Sequence, residues 1–156
     1  PTLNGEDIYL LDGWREMIDQ RAVDIVQPDL LTAGGLLETK RIADYAEEHG
    51  LPTVLHCASS PVGFMANVHC AAALSSFVAL ESHWLDLPFW TSLCTGLDEP
   101  VIQGGYVAVP DKPGLGVDLN LESVAANLRW PGLFEPTPEW NNPKLAFWQP
   151  DRRWDR

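Results

Sequence analysis

Positive charge is scarce in this chain. Ten Lys and Arg residues stand against 22 Asp and Glu, a net charge of −12. That balance argues against nucleic acid or an anionic membrane surface as a partner. It also suits an anionic small molecule poorly, unless a metal ion or a local basic group reverses the sign at the site. Cysteine is scarce too. Cys57, Cys70 and Cys94 are an odd count at unpatterned spacings, neither a disulfide framework nor a zinc site. Reduced thiols in a cytoplasmic protein are the simplest reading. No apolar run approaches membrane-spanning length, and no secretory leader pattern stands at the start. Gly114-Leu115-Gly116 has neither the Lys nor the glycine spacing of a phosphate loop. An initiator Met is also lacking, and residues 1–4 enter directly into what reads as the end of a strand. The N-terminus is therefore expected to be cut rather than begun.

What is present is a repeat of strand, polar residue and helix. Val23-Asp24-Ile25-Val26-Gln27-Pro28 reads as a short buried strand closed by Asp29, and Leu51-Pro52-Thr53-Val54-Leu55 as another closed by His56. Between them a Gly34-Gly35 turn leads into a helical pattern over residues 36–49, with Ile42, Ala43, Tyr45 and Ala46 on its apolar side. Strand, helix, strand in about 30 residues is a βαβ unit, whose strands are parallel. Asp29 and His56 are thus expected side by side at the C-terminal edge of adjacent strands. The same order occurs on both flanks. Residues 1–4, then Glu6, precede a helical pattern with Trp14, Met17 and Ile18; Phe77-Val78-Ala79-Leu80 reads as a fourth strand and ends in Glu81. A Ser/Pro/Gly loop over residues 59–63 and a small-residue helix over 64–74 link the third strand to the fourth.

Glu6, Asp29, His56 and Glu81 are separated by 23, 27 and 25 residues. Helical crossovers bring all four to one sheet edge, where a (β/α)8 barrel carries its catalytic groups. An open doubly wound sheet uses the same edge, so spacing alone does not choose between the two. After Glu81 the pattern breaks. Residues 82–98 read as an irregular loop with a short helix, and residues 101–109 as a hairpin around Gly104-Gly105. Residues 121–129 read as a short helix capped by Asn120. From Trp130 on, a Trp- and Pro-rich tail needs a surface on which to dock its aromatics.

Each candidate has a bland alternative. A His at the end of a buried strand is often only hydrogen-bonded into the structure. Asp29 has the reading of a turn or helix-capping residue, Glu6 that of a solvated carboxylate favouring a helix dipole, and Glu81 that of an exposed loop acid. Acidic groups on both sides of His56 favour chemistry, because a carboxylate beside an imidazole fixes its tautomer and suits a general acid/base. His83 follows Glu81 on the same loop, within reach of a substrate mouth, but neither it nor His69 has an identifiable partner in the sequence, and both are read as structural by default. Cys57 adjoins His56, but neighbours along an extended chain point to opposite sides.

These pieces, in this order, resemble the C-terminal half of an enolase-superfamily enzyme of the mandelate racemase/muconate lactonizing subgroup. The matching stretches are Asn4-Gly5-Glu6, Val23 to Asp29 with Gly34-Gly35, Leu51-Pro52 up to His56, Pro61-Val62-Gly63, Glu81, and Val109 to Val117. The resemblance implies the C-terminal half of a (β/α)8 TIM-type barrel over residues 1–100, about four βα units. Residues 101–156 would be a hairpin, a short helix and a tail packed on a capping domain or a neighbouring subunit. It implies that Glu6 is one carboxylate ligand of a magnesium ion (Mg2+). It implies that His56 is the general acid/base with Asp29 orienting it, and that Glu81 hydrogen-bonds the substrate carboxylate. The pattern is most similar to acid-sugar (galactonate-like) dehydratases, with racemase or sugar-lactone cycloisomerase as the alternative. A sugar acid as substrate and a homo-oligomeric assembly follow from the same resemblance. The first half of the barrel, the other metal ligands and the opposite-face base are not in these 156 residues, so the chain alone is expected to be inactive. A truncated, non-catalytic homologue and a ring of self-associated half-barrels are the competing expectations.

Overall fold

The structure, a computed structural model, describes residues 1–83 and 86–128. Four short strands, β1 (Leu3–Asn4), β2 (Ile25–Val26), β3 (Thr53–Leu55) and β4 (Phe77–Leu80), lie side by side in chain order. All three pairings are parallel, with Asn4 opposite Val26, Val26 opposite Thr53 and Leu55 opposite Leu80. The crossovers are α1 (Leu10–Asp19), then α2 (Leu30–Ala33) with α3 (Leu36–Glu48), then α4 (Pro61–Ala72). Consecutive right-handed crossovers place every helix on one face of the sheet. The result is a (β/α) partial barrel of four units, the architecture that the enolase-superfamily resemblance implies.

Alternation along the strands sets the two faces. Val26 and Leu55 are fully buried, Val26 packed with Trp14, Ile18, Ile42 and Ala46, and Leu55 with Leu30, Ala43, Ala66 and Cys70. Their neighbours Gln27 and His56 therefore turn to the opposite, helix-free face. Burying a Leu or Ile side chain in these clusters stabilises by about 1.5–3 kcal/mol, so the strand phase is strongly specified.

Two helices begin earlier than the apolar pattern predicts. α1 starts at Leu10, and its Leu11 amide is met by Glu38 Oε1 of α3 at 2.8 Å. This long-range cap replaces a local one. α4 takes in Pro61-Val62-Gly63, which had read as loop, because Pro at the first helical position is already set for the helix. α2 is a single helical turn between Asp29 and the expected Gly34-Gly35 turn. At the N-terminal edge, Asp24 Oδ2 accepts from the Thr2 amide at 2.6 Å and from its hydroxyl at 3.2 Å, tying β1 to β2. These bonds, the amide foremost, hold the Asp24 carboxyl below its ordinary range.

Beyond β4, a short 3-10 turn (Thr91–Leu93) leads to β5 (Cys94–Thr95), which pairs antiparallel with β6 (Asp118–Leu119). α5 (Leu121–Ala126) follows, with the Asn120 side chain accepting from the Ser123 amide as its cap. The expected hairpin is present only at its tip. Gln103 and Tyr106 exchange backbone hydrogen bonds of 2.8 and 3.0 Å around Gly104-Gly105. Its arms do not extend the ladder, because Val101 and Val107 pack instead against the Phe64, Met65 and Trp90 cluster. The expected Trp- and Pro-rich tail, residues 130–156, lies outside the described residues. No helix among the described residues is long and apolar enough to cross a membrane.

Candidate active site

The strand ends converge on His56. Pairing resumes past the ends of β2 and β3, where the backbones of Asp29 and His56 form a parallel bridge and the His56 amide donates to Pro28 O at 3.1 Å. Asp29 Oδ2 lies 2.7 Å from His56 Nδ1. The other Asp29 oxygen accepts from the amides of Leu31 at 2.8 Å and Thr32 at 3.0 Å. Asp29 is thus both the helix cap of its bland reading and the partner of His56. A carboxylate pinned by two amides is a rigid acceptor, so it places the imidazole proton on Nδ1 and leaves Nε2 for other business.

Nε2 faces the helix-free side. It lies 2.7 Å from Glu6 Oε2 and 3.7 Å from Glu81 Oε2. The ring and Asp29 are largely enclosed, with side-chain exposures of 15% and 12%, whereas Glu6 is about half exposed at 51%. The four predicted residues are therefore brought together around one imidazole. Glu6, His56 and Glu81 line, with Asn4, Gly5 and Gln27, an open concavity of about 240 Å³, while Asp29 stands behind His56. That is less than the ~300–1,000 Å³ of a complete small-molecule site, and corresponds to one wall of one.

Two residues join the site that the sequence reading did not place there. Gln27 donates from Nε2 to Glu81 Oε2 at 3.0 Å. Its signal was available: a polar residue on an otherwise aliphatic strand, in the phase opposite to buried Val26. His83, read as structural, has Nε2 2.7 Å from Glu81 Oε1. His69 does have a structural partner, the Leu115 carbonyl at 3.1 Å from Nε2.

The cysteines stay out of the chemistry. Cys57 turns to the helix face, buried against Phe64, Met65 and Trp90. Burial pushes its thiol up, and pushes that of Cys70 up to about 11. All three thiols are buried and free. A disulfide-exchange dye at pH 8 is therefore expected to leave all three unreacted in the folded protein and to titrate all three in guanidinium chloride. A fast-reacting thiol in the native state would contradict this placement.

The profile of the family described as "Enolase C-terminal domain-like" matches residues 1–124. The chain belongs to this family. Within the enolase superfamily it falls in the mandelate racemase/muconate lactonizing subgroup, close to the sugar-acid dehydratases. It is 41% identical over 128 residues to D-xylonate dehydratase of Haloferax volcanii, covering 82% of this chain and 31% of that protein. It is 31% identical over 160 residues to a D-galactonate dehydratase family member of Pantoea ananatis, covering 96% of this chain and 36% of that protein. Among solved structures, a mandelate racemase/muconate lactonizing enzyme-like protein from Rubrobacter xylanophilus superposes with a TM-score of 0.74 at 42% identity. That match covers 79% of this chain and 31% of the other. The chain thus spans about a third of the length of the relatives it matches.

The enolase-superfamily resemblance implies magnesium, and the residues can be tested for it. Magnesium wants oxygen ligands in near-octahedral array, usually a few carboxylates with water. Among the described residues no group of three His, Cys, Asp or Glu side chains is arranged to hold a metal ion. Glu6 is half exposed and directs Oε2 at His56. The described residues alone do not make a magnesium site.

Proposed function

We propose that the complete protein is a sugar-acid dehydratase, removing the proton α to a carboxylate and expelling the β-hydroxyl as water. One observation carries the reading: the Asp29–His56 pair at the C-terminal strand edge, with Nε2 turned into a concavity walled by Glu6 and Glu81. The dehydratase names of relatives 41% and 31% identical support the same reaction class.

In this reading the α C–H bond breaks to a base outside this chain, and its electron pair enters an enediolate. Glu81 directs its Oε2 side at the substrate carboxylate, where in protonated form it donates to the developing oxyanion. The β C–O bond then breaks, and His56 delivers a proton from Nε2 to the departing hydroxyl. The enol that remains tautomerises to a 2-keto-3-deoxy acid. Asp29 stabilises the ring in its charged form and keeps Nε2 aimed at the leaving group. Three carboxylates around His56 are poor company for an anionic substrate. A positive group beyond the described residues is needed, and we assign Glu6 as one carboxylate of a magnesium site completed by ligands elsewhere.

The test is a panel of C5 and C6 sugar acids with magnesium, assayed for 2-keto acid release by the full-length gene product and by the 156-residue chain alone. Release by the full-length protein and none by the isolated chain is expected. Epimerisation without keto-acid release would replace dehydration by racemisation. No reaction with any acid would remove the dehydratase reading, and turnover by the isolated chain would overturn the need for outside ligands.

A further inference from the structure

Glu81 is gripped on both oxygens. Oε1 lies 2.7 Å from Nε2 of His83, and Oε2 lies 3.0 Å from Nε2 of Gln27. Oε2 also faces Nε2 of His56, at 3.7 Å. The concavity is lined by Gln27, His56 and Glu81 but not by His83. One oxygen is therefore anchored away from the cavity and the other is presented to it.

The backbone explains why His83 stands there. The Glu81 amide donates to Leu55 O at 2.9 Å, and the His83 amide donates to Cys57 O at 3.2 Å. The β3–β4 ladder thus runs on beyond the strand ends by alternate residues. Residues two apart on an extended chain share a face, so the ladder that directs Glu81 to the helix-free side directs His83 the same way, one step farther out. An exposed pair made by two neighbours on one loop is worth little. This pair differs in that the carboxyl is also clasped by Gln27, just past the end of β2 and 54 residues away. A Glu side chain loses up to about 2 kcal/mol of rotamer freedom when fixed; here that loss falls on folding rather than on the reaction step.

We infer that His83 is a positioning residue: its Nε2–H donates to Oε1 of Glu81 and keeps Oε2 turned toward the substrate. This rests on the role proposed above for Glu81. Ionised or protonated on Oε2, the Glu81 carboxyl keeps an acceptor lone pair on each oxygen, and an amide donates only from nitrogen, so Gln27 and a His83 protonated on Nε2 match it.

The experiment takes the full-length protein with the sugar acid it turns over best. Variants His83→Leu, His83→Gln, Glu81→Leu and the His83→Leu/Glu81→Leu double are compared for kcat and KM. His83→Leu is expected to lower kcat about tenfold or more with KM little changed. His83→Gln, which still offers an N–H, should recover most of that loss, and His83→Leu should add nothing in the Glu81→Leu background. Loss in Glu81→Leu with full activity in His83→Leu would overturn the inference and leave the site reading intact. Full activity in Glu81→Leu would overturn both. A readout independent of turnover is the imidazole nitrogen spectrum. His83 is expected as a single Nε2–H tautomer in the parent and as a mixture in Glu81→Leu; identical ring spectra in the two would overturn the inference even if no acid is turned over.

Discussion

Asn in place of Asp29 is expected to cut turnover of the full-length protein by about 10²- to 10⁴-fold while leaving its stability within about 1 kcal/mol of the parent. The two effects separate because the two carboxylate oxygens have different work. Oδ1 caps α2 through the Leu31 and Thr32 amides, and Oδ2 meets His56 Nδ1 at 2.7 Å. Asn keeps one oxygen, and Asn and Asp are about equal as caps. Its amide nitrogen then falls opposite His56 and can only donate, so Nδ1 must accept and the ring proton moves to Nε2. The neutral ring has no lone pair left on the working nitrogen, and the charged ring has no anion behind it. Asp29→Ala loses the cap as well, at a further cost of about 1 kcal/mol. Keto-acid release gives the first quantity and urea midpoints the second. Turnover of Asp29→Asn within tenfold of the parent would show that His56 does not work through Asp29.

Why this pair was legible in the sequence, when its neighbours were not, follows from distance along the chain. A polar residue closing an aliphatic run is a local signal, and helical crossovers convert four such signals into one edge without any knowledge of packing. Glu6, Asp29, His56 and Glu81 were therefore readable from spacing alone. Gln27 needed one more step, the phase of the strand. Val26 must face the helices, so Gln27 cannot. The contact of His83 with Glu81 was out of reach, because it depends on a ladder that outlasts β4 by three residues through the Cys57 carbonyl. α2 was hidden for another reason. A helix of four residues has no period, and its cap residue, Asp29, was already explained by His56. The early start of α1 rests on Glu38, 27 residues away, and the open hairpin arms rest on Phe64 and Trp90. In these last two cases a tertiary partner decided what the local pattern left undetermined.

The same contrast explains the largest stability effect expected in this chain, which involves a residue with no side chain. Gly5 precedes Glu6 and adopts φ +132°, a conformation L residues rarely take. A Cβ there would stand 2.0 Å from Cη2 of Trp14 and 2.6 Å from its Cζ3. The indole cannot retreat. Trp14 is fully buried among Ile18, Val26 and Ile42, and its Nε1 donates to Ile8 O at 3.2 Å. Backbone strain of about 1–3 kcal/mol and overpacking of about 1–3 kcal/mol both oppose a side chain, so Gly5→Ala should destabilise by about 3 kcal/mol or more. Glu6 is held to this backbone, and a shift of β1 to relieve the clash would carry it away from His56, so activity should fall with stability. Trp14→Phe removes the atoms in the clash but not the strain at φ. The double variant should therefore be more stable than the two single losses predict when added, a coupling measurable from urea midpoints. Strict additivity would mean that the indole does not bear on Gly5. The close approach of backbone to Trp14 would then not be what sets Glu6 beside His56.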